Sequence, residues 1–423
     1  MVAQDAFKGS SYPRPVASAA PMTSLKETAH SYGPEAATLL QMARLVAATP
    51  AAAETFRLLE APISAGILHR RLTAHGLTGI GLPAGLLQEV FDSQTYAAWA
   101  RAERQSAAWN LHLFEEQRLL DGLLSSLSLP YIYAKGLLLG WAFHGDLTTR
   151  ATRDIDVMVR PADLPAFRGL LAMAGYEEVY FFPEQHLCYG RWLNREAVFR
   201  KSVSDGVYVH VELQWSPVLS FYRIPIAADQ LLEHRQWQPL GGVQWPLPSV
   251  ESHLTILLLH HGVMDGWRQL RHLLDLCHFL KAMGGAIDWP RYQQKLIQMG
   301  ISVNASAGFS LCRSLLGMQV PEGFAVDDRV LKRLEESLLS GRPLLRDQRS
   351  LAFLRRQWLL ADGFRGRCRV CLGQLQKAVS PGLYELEAIP LLPRFFALYY
   401  GLKPFRPLLR PFLKAHAGKG IHE

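Results

Sequence analysis

Apolar and polar positions follow two periods along this chain, and the places where one gives way to the other mark its organisation. After Pro34, the stretches PEAATLLQMARLVAA, ETFRLLEA, LPAGLLQEVFDSQTYAAWARAER and NLHLFEEQRLLDGLLSSL repeat apolar residues at spacings of three and four, the period of helices with one buried stripe. Their last helix, Tyr96 to Leu127, leads through Leu129-Pro130 into a shorter-period region. There Tyr131 to Ala134 reads as a buried strand, Lys135-Gly136 breaks it, and Leu137 to Phe143 is helical up to His144-Gly145-Asp146. A β-branched run from Asp154 to Val159 predicts a strand, Asp163 to Ala174 a helix, Glu178 to Phe182 a strand, and HLCYGRWLNREAVFRKSVSDG a further strand pair. Alternation is clearest in GVYVHVELQW, where valines, Leu213 and Trp215 alternate with Tyr208, His210, Glu212 and Gln214. Asp205-Gly206 before it is a hairpin signal. Beyond Pro217 the helical period returns, with two helices joined near Met264 to Trp267 and more helical scaffold from Asp288 to Ser340.

Two of these elements carry chemistry. Strand side chains alternate in direction, so Asp154 and Asp156 share one face while Ile155 and Val157 point into a core. Two carboxylates held that close repel, and divalent cations relieve the repulsion; hard oxygen ligands hold Mg²⁺ beside phosphates in this way. Glu212, on the polar face of the other strand with His210 and Gln214, is the third candidate metal ligand. Upstream, Gly136 allows close backbone approach to a ligand, the following helix start offers free N–H groups to an anion, and Lys135 adds a point charge. Taken alone, the aspartate pair also suits a solvent-facing edge strand paired to Arg150 and Arg153. The Lys-Gly turn and Glu212 together favour a site.

Lys135-Gly136 before a helix, Arg150 four residues ahead of Asp154-Ile-Asp156, and the helix ending at Gly175-Tyr176 resemble the uncharacterised bacterial nucleotidyltransferase family of the polymerase-β-like superfamily. The resemblance implies an α+β protein with a small mixed β-sheet nucleotidyltransferase core, flanked here by N- and C-terminal α-helical domains. It also implies a phosphotransferase-class enzyme using Mg²⁺, or Mn²⁺, to move an NMP from an NTP such as ATP to an acceptor hydroxyl with release of pyrophosphate. Asp154, Asp156 and Glu212 would be catalytic and metal-binding; Lys135, Gly136 and Arg150 would bind the nucleotide. The acceptor stays open among small molecules, peptides and proteins. The family commonly has His where Gln214 stands, a departure that leaves room for a non-catalytic nucleotide-sensing or docking protein.

A second polar cluster, His260, His261, Asp265, Trp267, Arg268, Arg271, His272 and Asp275, lies in the helical region. Its spacing predicts an intrahelical Arg271–Asp275 ion pair. A metal site of His261, Asp265 and His272 ranks below the aspartate site, because no ligand rule matches the spacing.

Composition changes the picture in three places. Five cysteines at irregular positions in 423 residues argue for a reducing, cytoplasmic setting, with the lone Cys368-x-x-Cys371 incidental on a helix. The stretch Leu351–Glu423 holds 12 Lys and Arg against 4 Asp and Glu, while the rest balances at 33 of each, so the whole net charge of +8 is C-terminal. Basic residues interleaved with aromatics there suit a peripheral membrane surface or another anionic partner, although Pro404, Pro407 and Pro411 interrupt any long interfacial helix. No nucleic-acid motif is present. The first residues lack the charged start and apolar core of a secretory signal. The expected organisation is a disordered leader over 1–33, a helical domain over 34–128, the catalytic core over 129–217, a helical domain over 218–345 and a basic helical segment over 346–423.

Overall fold

The computed structural model describes residues 22–47, 63–82, 84–179, 194–341, 350–381, 389 and 391–405. The expected helix over ETFRLLEA, most of the Glu178 to Phe182 strand and the last residues of the basic segment lie outside them.

Before the sheet come α1 (Leu25–Tyr32), α2 (Pro34–Ala47), α3 (Ala65–Ala74), α4 (Ala84–Val90) and the 34-residue α5 (Ser93–Ser126). Within the segment expected as a leader, residues 25–32 form α1, capped by Ser24 and with Thr28 buried. The core region then supplies β1 (Tyr131–Tyr133), α6 (Leu137–His144), β2 (Asp154–Val159), α7 (Leu164–Met173), β3 (Glu177–Glu178), β4 (Glu196–Ser204) and β5 (Val207–Gln214). They form a five-stranded sheet of order β1-β2-β5-β4-β3, with β2 and β5 parallel and the other neighbours antiparallel. Asp205-Gly206 makes the β4–β5 turn, where Ser204 pairs with Val207 and Gly206 takes φ 74°.

Alternation decides what each sheet face meets. Ile155, Val157, Val159, Val209, Val211 and Leu213 form one core with Leu113, Leu120 and Leu124 of α5 and with Phe167 and Leu171 of α7. The opposite face carries the carboxylates and Met158, which packs with Leu231, Leu232 and Ile256. β2 is interior and its apolar side chains are sealed, which rules out the edge-strand arrangement.

After the sheet come α8 (Ala228–Leu232), a hairpin of β6 (Gln236–Leu240) and β7 (Val243–Leu247), then α9 (Val250–Leu257), a π-helical segment over Leu258–Met264, α10 (Leu270–Met283), α11 (Trp289–Met299), α12 (Ser302–Leu316), α13 (Asp328–Leu339), α14 (Leu351–Leu359), α15 (Gly363–Val379) and α16 (Leu398–Leu402). The hairpin corrects the expectation that everything beyond Pro217 is helical. Its Gly241-Gly242 turn, both glycines at positive φ, is the signal that reveals it. Trp245 from this hairpin packs edge-on against Tyr133.

The helices before and after the sheet share one core. Leu39 and Leu40 of α2 pack in the same cluster as Leu273 of α10 and Leu311 of α12, and the buried Arg44 donates to the Leu315 carbonyl. This helical body meets the core region through Arg150, which donates Nε to Asp275 Oδ1 at 3.1 Å, Nη2 to Oδ2 at 3.0 Å and Nη1 to the Gly136 carbonyl at 3.3 Å. Asp275 therefore turns to Arg150, and the predicted intrahelical pair with Arg271 gives way. Arg271 donates instead to the Ala151 carbonyl.

Removing one partner of a buried, bidentate ion pair strands the other charge, at a cost of about 3–5 kcal/mol. Arg150→Met should lower stability by roughly that amount, and the Arg150→Met/Asp275→Leu double variant should lose clearly less than the two single losses combined. Denaturant midpoints of the four proteins measure this; additive losses would mean the pair does not join the two parts of the structure.

Candidate functional site

Register brings the carboxylates together. In the parallel β2–β5 pairing, Asp154 lies opposite His210, Asp156 opposite Glu212 and Met158 opposite Gln214. On the other side of β5, Glu196 of β4 pairs with Gln214. One sheet face therefore carries Asp154, Asp156, Glu212 and Glu196 within four residues' width, and Glu196 is a member that the sequence pattern did not reveal. A plain antiparallel count back from the Asp205-Gly206 turn would set it opposite Trp215; the register shift between Ser202 and Ser204 moves it to Gln214. His210 sits beside Asp154 in this register, half-buried, with its pKa lowered by burial and then by Arg200.

Three groups hold the acids. Lys135 Nζ lies 3.1 Å from Asp156 Oδ1. Gln214, fully buried, donates Nε2 to Asp156 Oδ1 at 2.6 Å and to Glu212 Oε2 at 2.8 Å, with Glu196 Oε2 at 3.4 Å. Arg195 Nη2 stands 2.5 Å from Glu196 and 3.9 Å from Glu212. An amide has only two hydrogens for these three acceptors. Four carboxylates thus face two cationic side chains and one neutral amide.

The imbalance shows in the titration of the group. Burial, then Asp156, Glu196 and Asp154, push Glu212 up to about 9 despite Lys135. Burial and Asp156 push Asp154 up to about 6, with Lys135 and Arg150 opposing. The Oε1 atom of Gln214 is buried and lacks a hydrogen-bond partner among the described residues. Raised carboxylates and an unpaired buried oxygen, all on one face, are oxygen donors of the kind that could hold a hard divalent cation.

The phosphate-side residues divide. Gly136 is the N-cap of α6 with φ 81° and ψ −140°, a conformation that disfavours any side chain, and its turn abuts the Asp154 carbonyl. Lys135 is brought directly to the acids. Arg150, expected at the phosphates, is instead buried behind the turn, with its guanidinium engaged by Asp275 and the Gly136 carbonyl. Its geometry braces the turn. Asn110 of α5, fully buried, holds the loop that carries it by donating Nδ2 to the carbonyls of Leu147 and Arg150 and accepting from Thr152 N–H. Arg153 is exposed.

The helical body contributes a second polar cluster. His260 and His261 lie on the π-helical segment, and Asp265 follows it. His260 has its pKa held well below the ordinary value by burial first and then by Lys135, His261 and Arg195, so the histidine cluster borders the acid cluster. Tyr222 lies between, donating to the Met264 carbonyl at 3.4 Å and feeling both Asp265 and Arg195. The low-ranked combination of His261, Asp265 and His272 does come together here, joined by His260.

A comparison with curated proteins finds no significant match. A comparison with protein families matches residues 54–317, well over half of the chain and covering the sheet, the turn and the histidine-bearing helices, to the family described as uncharacterised nucleotidyltransferase. With that match covering the sheet and the histidine-bearing helices, the chain belongs to the uncharacterised nucleotidyltransferase family.

Proposed function

We propose that the protein is a metal-dependent nucleotidyltransferase that moves an NMP from an NTP to an acceptor hydroxyl. The observation that carries this reading is the β2–β5 register, which sets Asp154, Asp156 and Glu212 on one face beside Lys135 and the Gly136 turn. Mg²⁺ or Mn²⁺ held by these three carboxylates would neutralise them and offset charge on the triphosphate. Lys135 offers a positive charge on the phosphate side, and the free N–H groups at the start of α6 favour an anion. In the transfer itself, the acceptor oxygen bonds to the α-phosphorus and the bond from that phosphorus to the β-bridging oxygen breaks. Pyrophosphate leaves, and a carboxylate of the cluster takes the hydroxyl proton. Arg150 positions the turn from behind, so its contribution is to geometry.

One observation favours a second reading. Gln214 bridges the acids with a neutral amide, which gives the cluster partial satisfaction without a cation and suits a nucleotide-sensing or docking protein. The basic C-terminal region, with exposed Phe364, Leu372 and Leu375 on α15, would then be its working surface. We place the protein in the cytoplasm; among the described residues no helix is long and apolar enough to cross a membrane.

Pyrophosphate release from each NTP with Mg²⁺ or Mn²⁺ tests the catalytic reading. Turnover in the parent should fall by at least about 100-fold in Asp154→Asn/Asp156→Asn, the scale expected when charge stabilisation at the reacting phosphate is lost. Calorimetric binding of NTP with Mg²⁺, without turnover against any hydroxyl acceptor, would support the sensor instead.

Protons and cations compete for the same oxygens. Because the raised carboxylates favour the protonated folded state, the metal-free protein should lose stability as pH rises above the ordinary carboxylate values of 3.8 and 4.5, through about 6 for Asp154 and on to about 9 for Glu212. Added Mg²⁺ or Mn²⁺ should consequently raise the melting temperature little at pH 6 and progressively more toward pH 9. A metal-induced shift that is independent of pH, or unchanged in Asp154→Asn/Asp156→Asn, would remove these carboxylates from the metal site.

A further inference from the structure

The histidine cluster has the geometry of a second metal site, one that the carboxylate centre does not need. His260 Nδ1 and His261 Nδ1 are 3.2 Å apart, and His260 Nδ1 is 3.8 Å from Asp265 Oδ2. These three donor atoms all lie within 4.8 Å of one another. His272 Nε2 stands 3.5 Å from the same Asp265 oxygen. An ion bound tetrahedrally at about 2.0–2.1 Å from nitrogen or oxygen requires donor atoms roughly 3.4 Å apart, and the His260–His261 and His260–Asp265 separations of 3.2 and 3.8 Å bracket that value.

The surrounding groups orient these donors. His261 Nε2 lies 3.0 Å from Asp275 Oδ2. Both Asp275 oxygens already accept from Arg150, and a carboxylate engaged in this way accepts the Nε2 proton. That fixes the tautomer and leaves a lone pair on His261 Nδ1, the atom that faces His260. Histidine ligands of metals commonly have their second nitrogen held by a carboxylate in this way. Asp265 is held likewise, its Oδ1 accepting from Arg268 at 2.9 Å while Oδ2 faces the histidines. His272 stacks on His261 at 4.4 Å with an interplanar angle of 10°, which sets it beside the donors as a brace and not as a ligand.

The backbone supports the same reading. A π-helical segment is a strained departure from the α-helix that often marks functional sites, and this one carries both histidines. Gly262 beside them leaves space that a Cβ could not share with Asn304 and Trp267, and Gln357 donates to the Val263 carbonyl at 2.6 Å. His260 keeps 27% of its side chain exposed and Asp265 keeps 19%, so the cluster remains open on one side.

We propose that His260, His261 and Asp265 bind one zinc-class divalent ion, separate from the carboxylate centre. Imidazole donors select a borderline ion such as Zn²⁺ over Mg²⁺, which prefers the all-oxygen face of the sheet. The assignment stands whether or not the protein transfers nucleotides, because it rests on the helical body alone.

The test uses the full chain stripped with chelator and titrated with Co²⁺ as a spectroscopic probe for zinc. The parent should take up one equivalent with the intense visible absorption of a low-coordinate site, and Zn²⁺ should displace it. His260→Ala and Asp265→Ala should each weaken Co²⁺ binding by about 100-fold or more, with metal-free melting curves showing that they remain folded. Asp154→Asn/Asp156→Asn should retain the signal. No stoichiometric Co²⁺ band in the parent overturns the proposal, as does a band that survives in His260→Ala and disappears in Asp154→Asn/Asp156→Asn.

Discussion

Mutual repulsion among Asp154, Asp156, Glu212 and Glu196 is the constraint around which this protein is arranged. Sheet hydrogen bonding fixes their backbones on adjacent strands, so the acids cannot separate without breaking the register. The fold tolerates them because the other face of the same strands buries a continuous apolar layer. Burial of Ile155, Val157, Val209, Val211 and Leu213 contributes roughly 1.5–3 kcal/mol per side chain, enough to hold strands whose polar face resists assembly. Lys135, Arg195 and the Gln214 amide offset part of the charge and leave the remainder for a cation to meet.

Much of this was legible in the sequence because strand alternation is a local property. Asp154-Ile-Asp156 and the nine-residue alternation ending at Trp215 specify their own faces without knowledge of the rest of the chain. The pairing of β2 with β5, by contrast, joins residues more than fifty positions apart, and nothing local states which carboxylate meets which. Glu196 escaped notice for that reason: in its own segment it is one charge among Arg195, Arg200 and Lys201, and only the hairpin register sets it opposite Gln214. Arg150 was misplaced for a related reason. Its sequence distance from Asp154 suggested the phosphates, whereas its partner, Asp275, is 125 residues away.

The helical regions show the same limit from the other side. Their three-and-four spacing identified helices but not which of them share a core, and α2 proves to pack with α10 and α12 across the whole sheet region. Histidine spacing failed as a guide because the π-helical segment alters the angular step between residues. His260 and His261 are adjacent in sequence, and on a regular helix neighbours diverge by about 100°. Here their Nδ1 atoms face each other at 3.2 Å.

These pieces connect through one run of contacts. Asp156 meets Lys135; the adjoining Gly136 carbonyl accepts from Arg150; Arg150 grips Asp275; Asp275 orients His261, which faces His260. Each link is buried or nearly so, and charged hydrogen bonds in such surroundings have narrow geometric tolerance. The carboxylate and histidine clusters are therefore set relative to one another by polar contacts, whose directionality apolar packing alone does not supply. That explains why an arginine and an aspartate are kept in an interior where well-packed apolar side chains would serve stability equally well. The pair fixes where the histidines stand with respect to the carboxylates.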